Sequence, residues 1–168
     1  SYFLGAERFG DAYALIRRQA VFICMSAALA FALSRVEPAM LKRFAYPALL
    51  GGLVLLVLVL IPGIGQIRGG ARRWISLGLF AFEPSELMKP GIVLVLARFY
   101  DDLPPSMTAS WRALVPAGAL LAVPAGLVII QPDLGTGLAI TFGATVVVFL
   151  AGVPLWWFIA AGSAAAVA

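Results

Sequence analysis

From Phe44 to Ile67 the chain runs for 24 consecutive positions without a charged residue. A helix needs roughly 20 such residues to cross a hydrocarbon core, so this run is long enough to be a membrane span. Residues 20–34, 113–132 and 134–168 are likewise uncharged. The last run, 35 residues, is too long for one helix and divides most naturally at Gly152-Val153-Pro154. The 168 residues are 62% hydrophobic and only 12% charged, against roughly 25% charged in a soluble domain. Lipid offers no partner to open backbone groups, so such spans are helical. The sequence therefore predicts an all-α, polytopic integral membrane helix bundle. Spans are expected near residues 20–36, 45–62, 86–100, 113–130 and 136–152, with a truncated sixth at 155–168. No short fixed period repeats, which excludes solenoids and propellers.

Residues 69–100, GGARRWISLGLFAFEPSELMKPGIVLVLARFY, break this pattern, with only eight uncharged residues between Lys89 and Arg98. An unpaired charge in a bilayer costs about 2.5–3.5 kcal/mol, so Glu83, Glu86 and Lys89 are expected to be paired, to face a cavity, or both. Arg72 and Arg73, ahead of Trp74, fall in a predicted surface loop. Their guanidinium forks suit bidentate phosphate binding, and the same trio equally suits a headgroup-level anchor. Ser85 is placed to N-cap the next helix, with Glu86 in the first turn where the dipole favours a carboxylate. Lys89, three residues on, can neutralise Glu86 in a pair that faces a cavity.

A second break follows at Gln131-Pro132-Asp133-Leu134-Gly135-Thr136. Asp133 either caps the following helix, with Gly135 giving backbone room, or supplies a carboxylate to a polar cavity as base, cation ligand or arginine partner. Pro84 and Pro132 thus each set a carboxylate at a helix boundary, and discontinuous helices are where membrane proteins place substrate sites. Trp156-Trp157 reads as an interfacial belt, and Cys24 and the four methionines as packing.

One cysteine gives no disulfide framework, and the absence of histidine removes imidazole-built metal and haem sites. No protein metal site is expected, and a divalent cation such as Mg²⁺ arriving with a substrate pyrophosphate is left open. The net charge of +4 suits membrane lipids and pyrophosphate, and no nucleic-acid partner is expected. Ser1 opens without a signal pattern and the far end stops within an apolar run, so the sequence reads as a fragment of a longer protein. Sorting Lys and Arg by alternate sides gives seven (Arg8, Arg17, Arg18, Arg68, Arg72, Arg73, Lys89) against five (Arg35, Lys42, Arg43, Arg98, Arg112), which sets no orientation.

Gly-Ala-Arg-Arg-Trp-Ile, then Pro-Ser-Glu-Leu with Lys89 beyond it, then Gln-Pro-Asp-Leu-Gly-Thr, in this order among apolar runs, resembles the SEDS family. These are the FtsW/RodA/SpoVE-like bacterial proteins of shape, elongation, division and sporulation. The resemblance covers nearly the whole chain, from just after the family's first span to the start of its seventh. It implies a peptidoglycan glycosyltransferase of the bacterial cytoplasmic membrane that polymerises lipid II beside a class B penicillin-binding protein. It further implies that Arg72, Arg73, Trp74, Pro84, Ser85, Glu86, Lys89, Gln131, Pro132 and Asp133 line or brace a central cavity, with the Arg72 and Asp133 breaks facing outward. The Pro-Gly-Ile-Gly turn at residues 62–65 leans toward the division branch.

Three departures stand out. Glu83 occupies a position that is usually glutamine, Pro90 one that is often aliphatic, and the loop that carries the family's proposed catalytic aspartate lies beyond this sequence. The fragment alone is therefore expected to be inactive, with its catalytic residue unknown. Two rival readings are a lipid II flippase, because broken helices with buried charges also suit alternating access, and a non-catalytic membrane partner of a transpeptidase.

Overall fold

The computed structural model describes residues 12–68, 70–76, 78 and 81–160, and the chain divides into two units, 1–40 and 41–168. In the first, α1 spans Ala12–Ser34. The first expected span, 20–36, thus begins eight residues later than α1. Ser34 Oγ donates to the Phe31 carbonyl at 2.7 Å, a return bond to the helix's own backbone. Cys24 and Met25 are exposed, and among the methionines only Met88 is fully buried. The expectation that Cys24 and the methionines are packing residues is corrected for these. From Ala20 to Leu33 nearly every α1 position is apolar, so exposed positions such as Phe22, Ile23, Leu29 and Phe31 are apolar too.

The second unit is a helical bundle with a small sheet at one end. Its elements are α2 (Pro38–Leu60), β1 (Gly65–Arg68), β2 (Ala71–Ser76), β3 (Ala81–Phe82), α3 (Pro84–Asp101), α4 (Trp111–Ile130) and α5 (Leu134–Leu150), with a 3₁₀ turn at Pro105–Met107. Residues 155–160 are helical again. By length and composition α2 and α4 can each cross a membrane, and α5 is a shorter apolar helix. Prolines 47, 90, 116 and 124 lie inside helices that continue through them. Each removes one N–H from its helix, and α3 runs unbroken through Pro90 from Pro84 onward.

The stretch read as a surface loop around Arg72 and Arg73 is instead an antiparallel sheet in the order β1-β2-β3. Ile67, Trp74 and Ile75 favour strand, and the Arg68↔Ala71 pair closes the β1–β2 hairpin. That sheet is the exception in an otherwise all-α bundle.

Helix α3 is the centre of the unit, packing against α4, α5 and β2. Its Met88, Ile92, Val95 and Leu96 are fully buried with Leu56 of α2 and Ile140 of α5. Far from the sheet, Arg98 donates from NH1 to the Lys42 carbonyl at 2.6 Å, and Lys42 pairs with Asp101 and Asp102. This exposed network fixes register more than it adds stability. Helix α5 ends in a Schellman turn. The N–H of Gly152 bonds Phe149 O at 3.0 Å and that of Val153 bonds Val148 O at 3.4 Å, with Gly152 at φ +92°. Pro154 then stops the helix and Val153 is buried, so the division expected at Gly152-Val153-Pro154 is a built cap.

Candidate functional site

Three chain segments converge at the sheet end. The first is β2, whose pairing with β1 runs Gln66↔Trp74 and then Ile67↔Arg72. Arg73 is therefore an extra residue without a partner in the ladder, a bulge that re-aims its side chain. The second is the step from β3 into α3. Phe82 pairs with Ile75 of β2, so Glu83, the next residue, is held beside Arg73. The third is the break between α4 and α5, only three residues long, which carries Gln131, Pro132 and Asp133.

Arg73 joins the two breaks. Its NH1 lies 3.2 Å from Asp133 Oδ2 and its Nε 3.9 Å from Glu83 Oε1. Both carboxylates are nearly inaccessible, Glu83 at 9% and Asp133 at 8% exposed. Asp133 is also the N-cap of α5, its Oδ1 accepting the Thr136 N–H at 3.1 Å. The two readings of Asp133, helix cap and arginine partner, are thus both realised, one by each oxygen. Ser85 is not the N-cap of α3. Glu83 holds that position, because Pro84 at the first helical position lacks an N–H and starts the helix two residues earlier. Ser85 instead donates its hydroxyl to Glu83 Oε1 at 2.9 Å. Gln131, 1% exposed, donates from Nε2 to the Leu56 carbonyl at 3.2 Å and ties the second break to α2.

The electrostatics follow from that crowding. Burial pushes the Glu83 carboxyl above the ordinary range, and the neighbouring Asp133 adds to this against the opposing Ser85 bond and Arg73 charge. At Asp133 burial also pushes upward. There the hydrogen bonds from Thr136 and Glu83 and the Arg73 charge prevail, and the carboxyl is held below its ordinary value.

The family model for FtsW, RodA and SpoVE, described as cell cycle protein, matches residues 1–168. The chain belongs to the FtsW/RodA/SpoVE family. It is 37% identical over 157 residues, 94% of its length, to a probable peptidoglycan glycosyltransferase FtsW of Halorhodospira halophila. It is 32% identical over 155 residues, 92% of its length, to stage V sporulation protein E of Bacillus subtilis. These matches span 40% and 42% of the two relatives, so the chain covers under half of their length. Among solved structures it is similar to Thermus thermophilus RodA, with a TM-score of 0.75 and 37% identity over 92% of this chain and 50% of that one. It is similar also to a chain of a peptidoglycan synthase complex that coordinates polymerization and crosslinking, with a TM-score of 0.79 and 36% identity, covering 91% of this chain and 44% of that one. The polytopic membrane helix bundle read from the sequence is the fold of this family.

Within this FtsW/RodA/SpoVE chain the other expected site residues divide. Glu86 and Lys89 pair with each other at 2.7 Å, on an open face of α3. Arg72 is half-buried, and its NH1 is buried without a hydrogen-bond partner. Trp74 is half-buried one bulge beyond it. Pro84 is buried at the first turn of α3, and Gly135, in the first turn of α5, leaves Asp133 Oδ1 at ordinary contact distance. Sequence reasoning left Glu83 off the list of site residues. The signal was present, since Glu83, Glu86 and Lys89 fall within seven positions and Lys89 can neutralise only one of two acids.

Proposed function

We propose that the chain is part of a multi-pass peptidoglycan glycosyltransferase of the bacterial cytoplasmic membrane, which polymerises lipid II beside a class B penicillin-binding protein. The observation that carries this reading is the Arg73 bridge, which binds two helix breaks into one charged, largely buried wall at the sheet end. Such a wall suits a reaction in which a sugar hydroxyl displaces an undecaprenyl pyrophosphate, because the leaving group needs fixed cationic donors. Arg73 is already engaged by two acids. Arg72, with an unpartnered buried NH1, is the better donor to a phosphate oxygen, and Lys89 is a second candidate once a stronger anion competes with Glu86. The sheet end then faces outward and the Lys42–Arg98–Asp102 end the cytoplasm.

Among the described residues no three His, Cys, Asp or Glu side chains converge, and Arg73 lies against both Glu83 and Asp133. In this reading a divalent cation such as Mg²⁺ would arrive with the substrate pyrophosphate. A lipid II flippase remains the rival reading, favoured by the two discontinuous helices.

In the full-length protein purified with its transpeptidase and given labelled lipid II in detergent, Arg72→Ala should lower polymer yield about tenfold to hundredfold. Unchanged yield removes Arg72 from the site. Failure of the wild type to polymerise, combined with flipping of the same lipid in sealed vesicles, supports the flippase.

A further inference from the structure

The charges around Arg73 do not balance if both neighbouring acids are ionised, because Arg68 and Arg72, also on the sheet, lie beyond pairing distance of Glu83 and Asp133. Glu83 and Asp133 both contact Arg73, and among the described residues no second cation lies within pairing distance of either. β2 contributes only Arg73 to Glu83, and the α4–α5 break contributes only Asp133. Glu86 and Lys89 of its own helix are engaged with one another. The facing half of α2, residues 47–60, and all of α5 carry no charged side chain. Two ionised carboxylates would leave one uncompensated negative charge in a site about nine-tenths inaccessible, an arrangement that buried acids avoid by keeping a proton.

The contacts also say which acid keeps it. Asp133 receives a backbone N–H at 3.1 Å and the shorter guanidinium contact, 3.2 Å. Glu83 has a neutral hydroxyl at 2.9 Å and a guanidinium nitrogen at 3.9 Å, beyond hydrogen-bond length.

We propose that Glu83 and Asp133 share a single proton carried on Glu83, and that neutral Glu83 is a positioning residue, donating to Asp133 and so fixing the Asp133–Arg73 pair across the two helix breaks. Oε1 of Glu83 takes the Ser85 hydroxyl, which leaves its other oxygen to carry the proton. The opposed directions of the two carboxyls, Glu83 up and Asp133 down, agree with this division. It stands whichever activity the protein has.

The pH dependence has a definite sign. Above the ordinary glutamate range the folded chain holds a proton that the unfolded chain has released, so stability falls as pH rises toward the folded value of Glu83. Glu83→Gln keeps a neutral donor of the same shape and should abolish that fall. The test compares full-length wild type with Glu83→Gln in detergent, by infrared spectroscopy of carboxyl carbonyls and by melting temperature against pH. Above the ordinary glutamate range the wild-type minus variant difference should contain a protonated-carboxyl band that vanishes as pH is raised further. The wild-type melting temperature should drop over the same range while that of the variant stays level. A difference spectrum without that band, or parallel melting curves, overturns the proposal. Should Glu83→Gln not fold, Asp133→Asn reads the same point. With the neighbouring charge removed, the carboxyl band should titrate at lower pH, and an unmoved titration overturns the proposal.

Discussion

Arg73→Ala should destabilise the full-length protein by about 2–3 kcal/mol and abolish polymerisation. Removing one partner of a fully buried ion pair costs about 3–5 kcal/mol, because the remaining charge is left uncompensated. The Arg73 side chain is 29% exposed, so solvent screening places the effect below that range. Its partners at 11% and 10% side-chain exposure are far less open and bear most of the cost. Arg73→Ala combined with Asp133→Asn should then lose less stability than the two single changes summed, because the acid that Arg73 compensated is gone. Thermal unfolding of the four proteins in one detergent measures this. A strictly additive set would show that Arg73 contributes only local strand packing. Arg73→Lys should rescue poorly, since a single ammonium cannot address Asp133 and Glu83 at once.

Gly65→Ala should be nearly as damaging, although it touches no charge. Gly65 opens β1 immediately after the turn that ends α2, and its N–H bonds the Ile61 carbonyl at 3.1 Å. A β-carbon there would overlap the Val59 carbonyl oxygen and sit 2.9 Å from Arg72 Cγ. A helix carbonyl cannot rotate away as a side-chain tip can, so β1 must leave the end of α2, carrying β2 and both arginines with it. The expected cost is about 3 kcal/mol, the upper end for overpacking. Gly52→Ala is the control. Its β-carbon would meet the thioether of Met88, an adaptable side chain, so the loss should be smaller. Equal melting temperatures for Gly65→Ala and wild type would mean that the hairpin does not rest on α2 as described.

What the sequence made legible follows from how local each signal is. The uncharged runs give α2, α4 and α5 directly, because lipid leaves helix as the solution for such a segment. The two breaks were legible because Pro84 and Pro132 each stand beside an acid at the edge of an apolar run, unlike the four prolines set inside helices. The sheet was not. Its strands are four, six and two residues long and gain their stability from one another and from α3, which no local pattern records. The bulge at Arg73 depends on register between two strands, so neither its aim nor the different surroundings of Arg72 and Arg73 could be read from two adjacent arginines. The N-cap assignment slipped for a similar reason. Ser85 has the better capping propensity, yet Pro84 fits the first helical position and gives the cap to Glu83. Glu83 was noticed only as an added charge, because its partner Asp133 lies fifty positions away in the chain.

The central claim is that the Asp133 break is a wall of the working cavity of a glycan polymerase. Asp133→Asn tests it most directly, because asparagine caps a helix as well as aspartate does and the change removes charge while leaving α5 intact. The full-length protein with its transpeptidase, supplied with labelled lipid II in detergent, should make long glycan strands as wild type. As Asp133→Asn it should make about tenfold less or lower, with its fold retained. Undiminished strands from a folded Asp133→Asn protein would contradict the account and leave the cluster a structural brace.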